Sequence, residues 1–323
     1  MATEVVKTVI PAGGGDYTSL SAWEAGEQKN LVTADEIAVA ECYSGEVTQT
    51  LTIAGWTVDA THYTHIRAAS GQEHGGLSNA GYRHTGSIQA WIDFIRVEGI
   101  VIISGTVAPD VDADTEFLIK GCVLKGDGAR IIGANMDSGE MFIINNIIFD
   151  NSTSFAAIDN AGTTTITIHA YNNTVINCVR GIHRSSGTIR PKNNVVQDCS
   201  TADYAGTMTN AEANISSDAT SPNTSLRNIS LTFADKDGDD FHLSQSDVQA
   251  IDAAVDLSAD VDYAFADDID GDVRPSGSWD IGADEFSVAI DEDDGGTSKF
   301  ALAVLEPGVL QLASLQSASL KHT

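Results

Sequence analysis

Basic side chains are scarce. The 323-residue sequence has 17 Lys and Arg against 46 Asp and Glu, a formal net charge of −29. A surface of that sign repels nucleic acid and anionic membrane, which argues against binding to either as a main activity. It suits solubility, cation binding or salty surroundings. Much of the excess is local: residues 235–294 contain 20 acids and two bases, Lys236 and Arg274. Cysteine is sparse as well. Cys42, Cys122, Cys178 and Cys199 show no CxxC spacing and no dense framework, so zinc and disulfide scaffolds are both disfavoured. Packing as small buried hydrophobes is the expectation. No apolar run approaches the ~18 residues of a membrane span, and MATEVVKTVIPAGGG lacks the basic and apolar regions of a secretory signal. Helix-favouring charged residues are few, whereas Gly, Thr, Ser, Asn and Asp are plentiful, the composition of many short strands joined by turns.

Repetition is abundant. NNIIFDN (145–151), NNTVINC (172–178) and NNVVQDC (193–199) are variants of one phrase. Aligned at the polar-to-apolar step, the units fall at Gly99, Gly121, Asn146, Asn173, Asn194 and Asn214, with spacings of 22, 25, 27, 21 and 20 residues. Such periods call for a repeat architecture. Each unit holds short β-branched runs, as in TITIHAYNNTVI (165–176), and none long enough for a helix pair. A unit of this kind cannot bury its apolar face alone, but stacked parallel coils make a continuous inner column. The prediction is an all-β chain, a right-handed parallel β-helix. At its corners Asn or Gly supplies positive φ, and stacked Asn side chains bond along the column. Asn146, Asn173 and Asn194 are expected at equivalent corners, with Ile147, Val175 and Val196 in or beside the following sheet. Upstream, SLSAWEAGEQ (19–28) carries Ser21 three residues before Glu24, a capping-box spacing that opens a short helix with Trp23 on its apolar side. Residues 1–45 read as an N-terminal cap, 46–286 as the β-helix, 287–298 as an acidic linker and 299–323 as an appendage.

Two stretches resemble a known family. DYTSLSAWEAGEQKNLVTADEIAVAECYSG, followed by LTIAGWTVDATHYTHIRAASGQEHGG, is similar to the start of right-handed parallel β-helix proteins of the pectate-lyase-like class, common in bacteria and tailed phages. FADKDGDDFHLSQSDVQAIDAAVDL and DIDGDVRPSGSWDIGADEF are similar to its terminal signature, a Phe-His-Leu step, an Ala-Ile-Asp step and a closing Asp-Ile-Gly-Ala-x-Glu-Phe. Together these cover most of residues 10–286. The resemblance implies the fold and leaves function open, because the class includes lyases, hydrolases, adhesins and structural virion proteins.

Several groups of residues could carry chemistry. Arg180, His183, Arg184, Arg190 and Lys192 lie in a stretch without acids between 160 and 197 and could hold an anionic glycan, as a polysaccharide lyase would. Asp150, Asp159 and Asp198 fall near coil corners, where two carboxylates could serve a glycoside hydrolase. DKDGDD (Asp235, Asp237, Asp239) and DDIDGD (Asp268, Asp270, Asp272) resemble oxygen-rich calcium loops without a closing Glu. The competing reading is that these Asp cap turns. His65, His74 and His84 have no metal-ligand spacing and read as ordinary loop histidines. In 299–323, Phe300, Leu302, Val304 and Leu305, then a Pro307-Gly308 turn and Val309, Leu310, Leu312 and Leu315, form an apolar surface suited to attachment or oligomerisation, with a trimer as one outcome. The function expected is that of a non-catalytic structural protein of a tailed-phage virion, made in the host cytoplasm. Decoration, head-fibre and tail-fibre roles all fit, and its partners would be other virion proteins. A carbohydrate-degrading lyase or depolymerase is the alternative, and a bacterial surface adhesin comes third.

Overall fold

The computed structural model describes residues 2–109, 115–126, 132–134, 138–152, 155–160 and 165–287. The attachment residues expected between Phe300 and Leu315, and most of the acidic linker, lie outside them. Among the described residues the strands form three parallel sheets of eight, eight and seven strands. The first runs Thr3–Val9, Glu36–Cys42, Thr64–Ala68, Phe94–Glu98, Thr115–Lys120, Gly139–Ile144, Ile166–Tyr171 and Thr188–Lys192. The second runs Gly45–Thr48, Tyr82–Thr85, Val101–Ile103, Val123–Lys125, Ile147–Phe149, Thr174–Ile176, Val195–Gln197 and Ile215–Ser216. Leu51–Ile53, Ile88–Ala90, Val107–Pro109, Ile132–Ala134, Ala156–Asn160, Arg180–Arg184 and Ala202–Ala205 make the third. From Glu36 to Ala205 the chain visits the three sheets in turn and returns to each beside its own previous strand.

This order aligns chemically similar side chains in columns. Val97, Ile119, Ile143 and Ala170 are register partners on the first sheet, and Ile102, Leu124, Ile148, Val175 and Val196 on the second. Both columns belong to one buried cluster with Ile158, Ile182 and Tyr204 of the third sheet. Side chains alternate across a strand, so the neighbouring column Val101, Val123, Ile147, Val195 and Ile215 points the other way. A second cluster covers it, formed with Leu231, Phe233, Phe241, Leu243, Ala250, Ile281 and Ala283. The stretch 217–286 contains no sheet strand. It lies along the outside of the second sheet, and Leu257, Phe265 and Trp279 also cover Leu118, Phe142, Ile144 and Tyr171 of the first. The apolar residues of this stretch are thus explained by packing. At ~1.5–3 kcal/mol per buried side chain, Leu231, Phe233, Phe241, Leu243 and Ile281 give roughly 8–15 kcal/mol gross for holding this segment in place.

The repeated seven-residue phrase maps onto one corner, one strand of the second sheet and the next corner. In NNTVINC, Asn172 takes positive φ (49°), Asn173 is buried, Thr174–Ile176 is the strand and Asn177 takes positive φ again (52°). Asn145, Asp150, Asn193 and Asp198 repeat the pattern. The left-handed residue is therefore the first Asn of each pair, one position before the expected corner. Gly99 (φ 69°) and Gly121 (φ 57°) stand level with Asn145, not with Asn146, so the sequence alignment was one residue out at those two units. The second Asn has another task. Asn146 donates to Asn173 Oδ1 (3.0 Å), Asn173 to Asn194 Oδ1 (3.0 Å), Asn194 to Asn214 Oδ1 (2.8 Å) and Asn214 to Asn223 Oδ1 (2.9 Å). The stacked ladder expected from sequence is present. Ile147, Val175 and Val196 all lie in the second sheet, with Ile147 one register position ahead of the other two.

At the other end the helix Leu20–Glu27 forms, but its N-cap is Ser19, whose hydroxyl accepts from Ala22 N–H at 3.2 Å. Ser21 lies inside the first turn and does not form the expected capping box. Trp23 is buried and stacks on Trp56 at 5.5 Å. The stretch read as a cap also supplies two strands of the first sheet, Thr3–Val9 and Glu36–Cys42.

Candidate functional site

Four segments converge at the corner between the first and second sheets. The loop EHGG (73–76) is anchored by His74. Its Nε2 hydrogen-bonds Gly121 O at 2.8 Å while Nδ1 accepts from Gly76 N–H at 3.0 Å. Only the Nε2–H tautomer satisfies both bonds, and burial lowers the His74 pKa in the same sense. The tight turn 267–272 is built on Asp268. Its Oδ1 accepts from Asp270 N–H (3.0 Å) and Asp272 N–H (2.9 Å), and its Oδ2 accepts from Glu285 N–H (3.2 Å). Asp268 is 3% exposed, and this is the turn-capping role. Its fixed backbone presents Asp270 to His242, whose Nε2 is 3.1 Å from Asp270 Oδ2, while Nδ1 hydrogen-bonds Asp240. Asp284 approaches from the end of the chain's described part, one oxygen accepting from Leu243 N–H at 2.6 Å.

Electrostatics follow from these contacts. The hydrogen bond to Asp270, helped by Asp240 and Asp284, raises the His242 pKa to about 10 against the opposing effect of burial. Burial raises Asp284 to about 6, outweighing the Leu243 N–H and the nearby His242. Beside this group opens a cavity of about 290 Å3 lined by Arg67, Glu73, His74, Glu98, Lys120 and Asp267–Gly271. Within it Lys120 pairs with Asp267 at 2.5 Å. Burial would raise Glu98, but His65 at 3.5 Å, Lys120 and Arg96 overcome it and hold the carboxyl below its ordinary value. The cavity can accept a small polar or cationic ligand, since acids outnumber bases around it.

The other candidates are dispersed. Arg190 and Lys192 lie on the first sheet, paired with Asp262 (3.0 Å) and Asp260 (2.5 Å) of the outer segment. Arg180, His183 and Arg184 lie on the third. There Arg184 Nε donates to Gly187 O, and His183 Nδ1 is 3.3 Å from Asp159. Asp159 also accepts from Ser185 Oγ at 2.8 Å. Ser185 and Asp159 share the same imidazole edge, so the trio lacks the relay geometry in which the hydroxyl meets the far nitrogen. Asp150 and Asp198 occupy the same corner two rungs apart, with Asn177 between them. Each carries a cation, Lys125 at 3.7 Å and Lys236 respectively. In DKDGDD, Asp235 caps the turn through Gly238 N–H, Asp239 binds Lys125 at 2.6 Å, and Asp237 stays exposed. These three side chains do not converge. Asp268 and Asp270 lie in the convergent corner in different roles, and Asp272 is exposed.

Two of the presumed loop histidines are on strands. His84 is wholly buried in the second sheet, and His65 is on the first. Sequence reasoning missed His242 and Asp284, which sit inside the stretches FHL and GADEF and carried no ligand spacing of their own. Comparison with family models, curated proteins and solved structures finds no match to this chain.

Proposed function

We propose that residues 2–286 form a right-handed parallel β-helix serving as a non-catalytic structural protein of a tailed-phage particle, in a decoration, head-fibre or tail-fibre role. Three parallel sheets visited in turn support the solenoid, and parallel crossovers are right-handed in nearly all proteins. The virion setting rests on the resemblance of residues 10–286 to phage and bacterial β-helix proteins. The observation that carries the structural reading is the fate of the charged groups a glycan site would need. Arg190 and Lys192 of that candidate set, like Lys120 and Lys125 beside it, each bind an Asp of the outer segment, so they fasten the fold together. Residues 299–323 would supply the contact with other virion proteins or with further copies of the chain.

A carbohydrate-degrading enzyme is the second reading, favoured by the acid-lined cavity at Glu98 and Lys120. One experiment addresses both. The full chain and a version ending at Ser287 are compared by light scattering and melting temperature, and the full chain is incubated with uronate-containing and neutral polysaccharides. The structural reading expects no ultraviolet-absorbing unsaturated product and no new reducing ends. It also expects a higher oligomer that dissociates on truncation without a change in melting temperature. Turnover abolished by Arg184→Ala or Glu98→Gln overturns it in favour of the enzyme, and an aggregating truncated chain makes the tail a cap.

A further inference from the structure

We propose that His242, Asp270 and Asp284 bind a divalent transition-metal ion of the Zn2+ or Mn2+ class, which fastens the turn 267–272 to the chain at 240–243 and 284. One donor atom from each residue lies within 4.8 Å of the other two. Ligand distances of about 2.0–2.2 Å to a shared ion are reached from there by small side-chain rotations.

Three independent features favour a metal over a chance meeting of side chains. First, the imidazole is already oriented as a ligand. Its Nδ1 is held by the Asp240 carboxylate, which leaves Nε2 aimed at Asp270, and metal-binding histidines nearly always give their other N–H to such a partner. Second, Asp284 is 6% exposed, yet its one hydrogen bond among the described residues is from Leu243 N–H to Oδ2. Its other oxygen accepts no hydrogen bond from the described residues and stays open to a ligand. Third, the ring fits because residue 76 is Gly. A Cβ there would lie 2.4 Å from His242 Cε1, and its φ of 66° is one that favours Gly. The open cavity on the Asp270 side gives room for the water ligands that complete a three-residue site.

The donor set decides the ion class. Imidazole with two carboxylates suits Zn2+, Mn2+ and their neighbours, whereas calcium takes oxygen ligands. Of the Asp residues in the two calcium-like motifs, Asp270 alone is a ligand here, and Asp240 acts through His242. The competing occupant of Nε2 is a proton, with His242 simply bridging its carboxylates as a cation.

The test uses the full chain, stripped with chelator and titrated calorimetrically with ZnCl2, MnCl2 and CaCl2 in separate runs. One Zn2+ or Mn2+ per chain should bind, tighter than Ca2+, with a rise in melting temperature. His242→Gln and Asp284→Asn should abolish binding, and Asp240→Asn should weaken it about 10–100-fold. Because the variants could lose the fold, the imidazole 15N resonances of His242 are followed in the unmodified chain, where Zn2+ must shift Nε2. No saturable binding of either transition metal, binding that His242→Gln leaves unchanged, or an unmoved His242 resonance each overturns the proposal.

Discussion

Asn173→Ala strikes the ladder at its centre. The Asn173 side chain is fully buried, and its Oδ1 accepts from Asn146 N–H (3.1 Å) and Nδ2 (3.0 Å). Its own Nδ2 donates to Ile143 O (2.8 Å) and Asn194 Oδ1 (3.0 Å). Truncation leaves the Asn146 backbone N–H, one Asn146 amide hydrogen and the Ile143 carbonyl without their partner. Asn194 Oδ1 keeps the Asn173 backbone N–H at 3.0 Å. A buried polar group that loses its partner costs about 1–3 kcal/mol, so three cost about 3–9 kcal/mol. A water entering the vacated space would reduce this to roughly 3–5 kcal/mol. For a unit of this size, that is a fall of about 6–20 °C in melting temperature. Asn223→Ala is the internal control: it removes the end of the same ladder where the side chain is half-buried, and water can replace it at about 1 kcal/mol. Asn173→Asp should be no better than Ala, because it sets a carboxylate against Ile143 O and Asn194 Oδ1. Urea unfolding of the three variants, followed by circular dichroism, is the assay. An Asn173→Ala cost within about 1 kcal/mol of the Asn223→Ala cost would refute the ladder as a source of stability.

Arg274→Met should loosen the outer segment while sparing the sheets. Arg274 is buried, 2.8 Å from Glu285, and donates to the carbonyls of Asp267, Asp280, Gly282 and Ala283. Its loss leaves four carbonyls without this donor and the partly buried Glu285 with the Asp280 N–H alone, at about 3–5 kcal/mol, read as faster amide exchange over 265–285 than over 165–200. Asp247 accepts from Thr232, Phe233 and Ser244 N–H, and these bonds overcome burial and hold its pKa below the ordinary aspartate value. Its contribution is therefore complete above about pH 4 and is lost as the pH falls further, so Asp247→Asn should flatten the acid limb of the stability profile. Ser19→Ala should cost about 1 kcal/mol and Ser21→Ala close to nothing in thermal unfolding, because only the Ser19 hydroxyl caps the helix. Equal costs would return the cap to Ser21.

The sheets were legible because their signal recurs. Short apolar runs introduced by Gly or Asn recur from Gly99 to Asn194, and period plus β-branching leaves few architectures. The same signal failed at one residue of detail. Gly99 and Gly121 were matched to the second Asn because both begin an apolar run, yet positive φ and the buried amide are demanded at successive positions. Where the pair is Gly-Cys, as at 121–122, only the first demand is met by side-chain choice. Cys122 N–H instead donates to Asn146 Oδ1 at 2.9 Å and begins the ladder. The site was hardly legible at all. His242 lies 28 residues before Asp270 and 42 before Asp284, and what joins them is the folding of an irregular segment, which has no period to read.

That irregularity also explains where the negative charge gathers. A segment without strands has no ladder to satisfy its backbone N–H groups, yet packing on the second sheet buries many of them, and each needs an acceptor. Asp supplies one on a short side chain that reaches back into its own turn. Asp247 and Asp268 each take three backbone N–H groups, and Asp280 takes those of Asp252 and Phe286. Others face cations on the sheets, as in Lys192 with Asp260, Arg190 with Asp262 and Lys125 with Asp239. Much of the acidic excess between 235 and 286 is therefore architecture. The carboxylates around His242 stand apart because, among the described residues, Asp240, Asp270 and Asp284 surround one imidazole and make no ion pair with a Lys or Arg side chain. An acidic group left over after the turns and ion pairs are accounted for is where a bound cation has the most to stabilise.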